Sequence, residues 1–211
     1  FKQLAVLTKN NVIISVLSYV VTLKVAIFLG PKVFGMYSYM LLLASLFSIL
    51  LNFSTNSTAT FLMAKYKSKR KVFQIITSIR LSFFICFLLI IPFFLTKGFL
   101  IILGVIVISA KTFNLSYLYE LNKTNITFSY IFMLERLVYI VIVFLLIYFQ
   151  VLTLKFIIIA LLISILFSFS FQFWQNKKMF LGFKFLKFKD LLFFLKSKFS
   201  LVLIEYSTFV Y

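Results

Sequence analysis

Apolar runs about 20 residues long, one after another and separated by short basic links, constrain this 211-residue chain more than any other feature. A helix rises 1.5 Å per residue, so a run of about 20 residues crosses a hydrocarbon core of about 30 Å. The runs predict helices over Val12–Leu29, Met36–Ala59, Val72 or Leu81–Leu95, Phe99–Phe113, Ile131–Phe149 and Phe156–Trp174, with a seventh opening near Phe199. We therefore expect an all-α polytopic membrane protein with six transmembrane helices and the start of a seventh. A mean hydropathy of +1.14 and only 12% charged residues agree. The chain opens at Phe1 rather than at methionine and stops inside an apolar run, which reads as part of a longer protein.

The formal net charge of +18 would raise nucleic-acid binding in a soluble protein. Here the lysines and arginines sit between apolar runs, where they act as topology determinants, and no nucleic-acid partner is expected. With the N-terminus cytoplasmic, the inside segments hold Lys2 and Lys9; then Lys65, Lys67, Lys69, Arg70, Lys71 and Arg80; then Lys111 and Lys123; then seven between Lys177 and Lys198. Only Lys32, Lys97 and Lys155 fall on the outer links, which fixes the expected orientation. One cysteine, Cys86, rules out a disulfide within the chain, and the absence of histidine removes the commonest metal ligand and general base. No cofactor is called for. Asn-x-Ser/Thr triplets at Asn114, Asn122 and Asn125 fall on the expected inside and carry no weight.

The chain divides into a six-helix unit over 1–175, a basic amphipathic connector over 176–198 and the first residues of helix seven over 199–211. In the connector, lysines alternate with phenylalanine and leucine. It suits a helix lying in the cytoplasmic interface or, equally, a plain link held near the membrane by its ends.

Two glycines and a proline cluster in "FLGPKVFGMYSY", residues 28–39, and close a tight hairpin between helices one and two. This motif, followed by "LLASLFSILLNF", the loop "AKYKSKRK" and six helices before a basic connector, resembles the polysaccharide biosynthesis proteins. These are lipid-linked oligosaccharide flippases of the multidrug/oligosaccharidyl-lipid/polysaccharide exporter superfamily. The resemblance implies the N-terminal lobe of a 12–14-helix transporter in the cytoplasmic (inner) membrane. Its cargo would be an oligosaccharide on a polyprenyl pyrophosphate, moved by alternating access for surface polysaccharide such as O-antigen lipopolysaccharide, beside other glycan-assembly membrane proteins. Family members often carry arginine three residues before the first glycine, where this chain has Ile27, with Lys24 one turn earlier. They also often have Phe-Gly near the end of helix two, where this chain reads "NFSTNST".

The candidate site residues are the charges and amides inside apolar runs. Lys24 is a candidate for the cargo's pyrophosphate, against the plainer reading of a lysine reaching the outer headgroups. Arg136 is a second phosphate candidate and Glu135 an ion-coupling one, against a pair that anchors a helix end. Glu205, about 10 Å into helix seven, is the other ion-coupling candidate, against a partner for a base elsewhere. Asn52 and Asn56, with Ser54 and Thr58, either line a cavity or bond neighbouring helices. A multidrug-type antiporter of the same superfamily is the alternative, with cationic cargo. A membrane glycan polymerase or glycosyltransferase is a third reading. It is disfavoured because the four acids are scattered and the outer links are short, so no enzyme is expected.

Overall fold

The computed structural model describes residues 2–52, 55–90, 98–181 and 183–186. They form α1 (Lys2–Asn52), α2 (Thr55–Tyr66), α3 (Lys69–Ile90), α4 (Phe99–Ala110), a 3-10 turn (Lys111–Phe113), α5 (Ser116–Leu121), α6 (Asn125–Tyr148) and α7 (Leu154–Phe180). No strand occurs among the described residues. Among the described residues, five stretches are long and apolar enough to cross a membrane: Thr8–Asn52, Lys69–Ile90, Phe99–Leu121, Asn125–Tyr148 and Leu154–Phe180. Hydrocarbon offers no partner to a backbone amide, so spans of this kind must close their hydrogen bonds internally, and helices do. The chain is thus an all-helical, multi-pass membrane protein. The start of a further helix near Phe199, and most of the basic connector, lie outside the described residues.

The stretch Thr8–Asn52 has 45 residues, about 68 Å as a straight helix and more than twice the hydrocarbon thickness. Gly30 breaks it, with φ 71° and ψ 170°. On a straight helix Thr22 and Tyr37 would stand about 22 Å apart. Instead they line a single cavity of about 220 Å³ together with Tyr139. Asn10 Nδ2 donates to Ser129 Oγ at 3.1 Å, and the Tyr37 and Tyr139 hydroxyls meet at 3.4 Å. Residues 10 to 37 therefore cover the same length of α6 that only eleven residues, 129 to 139, span, which requires the chain to reverse at Gly30. Pro31 then opens the second arm, where its missing N–H has no helical partner to lose.

That backbone conformation is essentially open to glycine alone. A Cβ at Gly30 would meet nothing within 4 Å, so Gly30→Ala isolates backbone strain from packing. We expect a loss of about 1–3 kcal/mol, read as a lowered melting temperature in detergent. An unchanged melting temperature would contradict the reversal.

Two apolar clusters hold the helices. One joins Val25, Met40 and Ala44 of α1 to Val105 of α4, Val143 of α6 and Ile157 of α7. The other joins Leu62 of α2, Phe73 and Ile76 of α3, and Tyr117 and Leu118 of α5. In the first, Gly104 lets α4 press on the second arm of α1. A Cβ there would fall 1.9 Å from Sδ of Met40, which is fully buried. Small residues at such crossings let helices in lipid approach closely. Gly104→Val is expected to cost about 1–3 kcal/mol by overpacking, again read as thermal stability in detergent.

The basic links gather at one end. Lys69 donates to Asn122 Oδ1, Arg70 Nη2 donates to the carbonyl of Leu181 at 2.7 Å, and Lys65, Lys67, Lys71, Lys123, Lys177 and Lys178 are exposed. Two cations counted with those links do not belong there. Arg80 is buried within α3, and Lys111 is turned into the bundle.

Candidate functional site

The site begins where α4 stops. Its 12 residues rise about 18 Å, short of the membrane's thickness, so Lys111 arrives well before the crossing is complete. The 3-10 turn tightens the chain, and Asn114, at φ −55° and ψ 151°, leaves the helical region. Asparagine favours this kind of break because its side chain bonds the local backbone in place of the helix. Here Nδ2 donates to the carbonyl of Lys111 at 3.0 Å, and Oδ1 accepts from the amide of Ser116 at 3.1 Å. The backbone groups freed by the break find side chains on two other helices. Arg80 Nη1 of α3 donates to the carbonyl of Asn114 at 2.7 Å, and the amide of Leu115 donates to Gln172 Oε1 of α7 at 2.7 Å. Both Arg80 and Gln172 are 2% exposed.

Arg80 also donates through Nη2 to Oδ1 of Asn52 at 2.7 Å, with its guanidinium carbon 5.4 Å from the centre of the Tyr117 ring. Its position thus ties the end of α1 to the break.

Lys111 meets the central charges of α6. Phe132, Glu135, Arg136 and Tyr139 are spaced three and four apart, so they share one helix face. Lys111 Nζ lies 2.5 Å from Oε1 of Glu135, which is 5% exposed. The ammonium is 4.4 Å, and the Arg136 guanidinium carbon 5.4 Å, from the centre of the Phe132 ring. Nε of Arg136 is buried with no hydrogen-bond partner. Three cavities surround this group. One of about 430 Å³ is lined by Lys111, Glu135, Ser129 and Gln172, one of about 510 Å³ by Lys111, Asn52, Ser48 and Asn114, and the 220 Å³ cavity by Lys111, Glu135, Arg136 and Tyr37. Lys111 alone reaches all three.

Of the residues singled out from sequence, Glu135, Arg136 and Asn52 come together around Lys111 and Arg80. Glu135 and Arg136 do not anchor a helix end. The helix starts at Asn125, which sets them ten or more residues in, roughly 15 Å along it. Lys24 is exposed and makes no hydrogen bond or ion pair among the described residues. The side chain of Asn56, and all of Glu205, lie outside the described residues. Arg80 and Lys111 were missed as site residues because both were assigned to cytoplasmic links. A signal for each was present. Lys111 ends an unbroken run of 12 uncharged residues after Gly98, and Arg80 lies between "VFQIITSI" and "LSFFICF", with no other charge on either side.

Comparison with protein-family models, curated proteins and solved structures finds no match. What the cavity can hold follows from its own chemistry. Lys111 and Arg136 border the buried carboxylate of Glu135, a positive excess of one at the 220 Å³ cavity; Arg80 is bonded instead to Asn52 and the Asn114 carbonyl, and Glu120 lies exposed in the wall of the 430 Å³ cavity. In a medium of low dielectric such an excess attracts anions far more strongly than it would in water. Hydroxyls and amides of Asn52, Ser129, Ser168 and Gln172 in the same walls add donors and acceptors suited to a polar, uncharged moiety. Among the described residues no cluster of His, Cys, Asp and Glu could hold a metal ion.

Proposed function

We propose that this chain is part of a transporter that carries a lipid-linked oligosaccharide with an acidic, pyrophosphate-type anchor across the cytoplasmic membrane by alternating access, in surface-polysaccharide assembly. The observation that carries the reading is the positive excess around Lys111 inside a membrane-spanning bundle, where an ionised side chain is costly unless it serves a ligand or a partner. The glycine–proline hairpin at residues 28–39, where the chain resembles the oligosaccharide flippases, supports it. On this reading the two arms of α1 count as separate spans, which would bring the five apolar stretches of the described residues to the six that the resemblance implies. The basic end formed by Lys65, Lys67, Lys71, Lys123, Lys177 and Lys178 supports a cytoplasmic N-terminus on this reading, even without Arg80 and Lys111 in the tally. The transport involves no covalent chemistry on the cargo, so the protein is not an enzyme.

A cationic cargo, as in a multidrug-type antiporter, would need a free interior acid. Glu135 is the only candidate acid among the described interior residues, and Lys111 already neutralises it.

Deletion of the gene tests the proposal. Surface glycan should fall while lipid-linked oligosaccharide accumulates on the inner leaflet. Unchanged glycan together with lost drug resistance would overturn the proposal in favour of the antiporter.

A further inference from the structure

Lys111 and Arg136 are two cations beside one carboxylate, and the three do not balance. The Lys111 ammonium has three N–H donors, and one is committed to Glu135 Oε1 at 2.5 Å. The same ammonium borders all three cavities. Arg136 adjoins Glu135 in sequence, lines the smallest cavity with it and keeps a buried Nε with no acceptor. The Phe132 ring lies within 6 Å of both cationic groups, so they converge on one place. That place is a two-cation cradle in which, among the described residues, the one carboxylate paired with a cation is the protein's own Glu135.

We propose that Glu135 is a built-in counter-ion occupying the position that a phosphate dianion takes on Lys111, and that binding of the dianion displaces the carboxylate, which then takes up one proton from the aqueous phase. This rests on the reading of the cavity as a site for acidic cargo. A dianion against Lys111 and Arg136 cancels their charge, so an ionised Glu135 left alongside would be a surplus negative charge at a buried position. Protonation removes the surplus and leaves a neutral acid. The other titratable or charged groups lining these cavities are Glu120 of α5, Tyr37 of α1 and Tyr139 of α6. The residues that α7 contributes to these walls, Ser164, Ser168 and Gln172 with Leu161 and Ile165, are all uncharged. None of these is a base able to accept the proton in place of Glu135, apart from Glu120, which is exposed near the basic end.

Sulfate is the probe, because its charge stays fixed over the range used, and any linked proton then belongs to the protein. Calorimetric titration of the full chain in lipid nanodiscs, from about pH 5 to about pH 8, should show sulfate binding tighten as pH falls. The gain should approach tenfold per pH unit, the limit for one linked proton, and heats in buffers of different ionisation enthalpy should report uptake of about one proton. Glu135→Gln should bind sulfate about tenfold or more tightly than wild type near pH 8, with the pH dependence gone. Wild-type binding that is flat with pH overturns the proposal without recourse to a variant, and so does weaker binding by Glu135→Gln. Competition at one pH then identifies the source of the dianion. Farnesyl diphosphate displacing sulfate better than inorganic diphosphate supports a lipid headgroup, equal displacement supports a free anion, and failure of both to displace it overturns the site. The transport reading fails separately: unchanged surface glycan in the deletion strain with proton-linked sulfate binding intact removes the cargo and keeps the exchange. Lost glycan with pH-independent binding does the reverse.

Discussion

Lys111→Met is expected to destabilise the folded protein by about 3–5 kcal/mol, the usual cost of stranding one member of a buried ion pair. Glu135, at 5% exposure, would lose its ion-pair partner and have to stay charged without it or take up a proton, and either is costly at a buried position. The double variant Lys111→Met/Glu135→Leu should recover most of the loss, since it removes both charges and their desolvation together. Thermal unfolding in detergent, arranged as a double-mutant cycle, measures this. Strictly additive losses would mean that the 2.5 Å pair contributes nothing of its own. Glu135→Gln alone should cost far less, because the lysine it leaves behind opens onto three cavities.

Arg80→Leu should cost about 2–5 kcal/mol for a different reason. It withdraws donors from the Asn114 carbonyl and from Asn52 Oδ1, each bonded at 2.7 Å. A buried polar group deprived of its partner costs about 1–3 kcal/mol. For a chain of this size the loss corresponds to a fall of roughly 5–15 °C in melting temperature. Arg80→Lys should fall between the two, since one ammonium cannot reproduce the two-pronged geometry of the guanidinium. A variant Arg80→Leu melting with the wild type would show that the break after α4 holds without this clamp.

The helical class was legible because the length of an uncharged run maps directly onto membrane thickness. The reversal at Gly30 was legible too, because glycine before proline in an apolar context has few other uses. The edges of the helices were not. The run from Phe99 reads as one helix to Phe113, yet the helix ends at Ala110 and a short α5 follows. Nothing local separates an asparagine that breaks a helix from one that ends a span, since the deciding partners, Arg80 and Gln172, are 34 and 57 residues away in sequence from the groups they satisfy. The same distance hid the site. Counting cations by segment treats each as a topology signal, and only the packing of α3 and α6 against the broken helix reveals that Arg80 and Lys111 belong to the interior. Glu135 and Arg136 stood out as charges within an apolar run, but their depth depended on where α6 begins, six residues earlier than the sequence led us to expect.

The broken helix has a mechanical consequence. A continuous helix satisfies its own backbone and can slide past its neighbours, whereas this one has its carbonyl at Asn114 fastened to α3 and its amide at Leu115 fastened to α7. Shear between α3 and α7 would break one of these bonds and leave a backbone group of the broken helix without its side-chain partner. These three segments therefore behave as a single riveted plate, and any motion of the protein about its cavity has to be taken up at other seams.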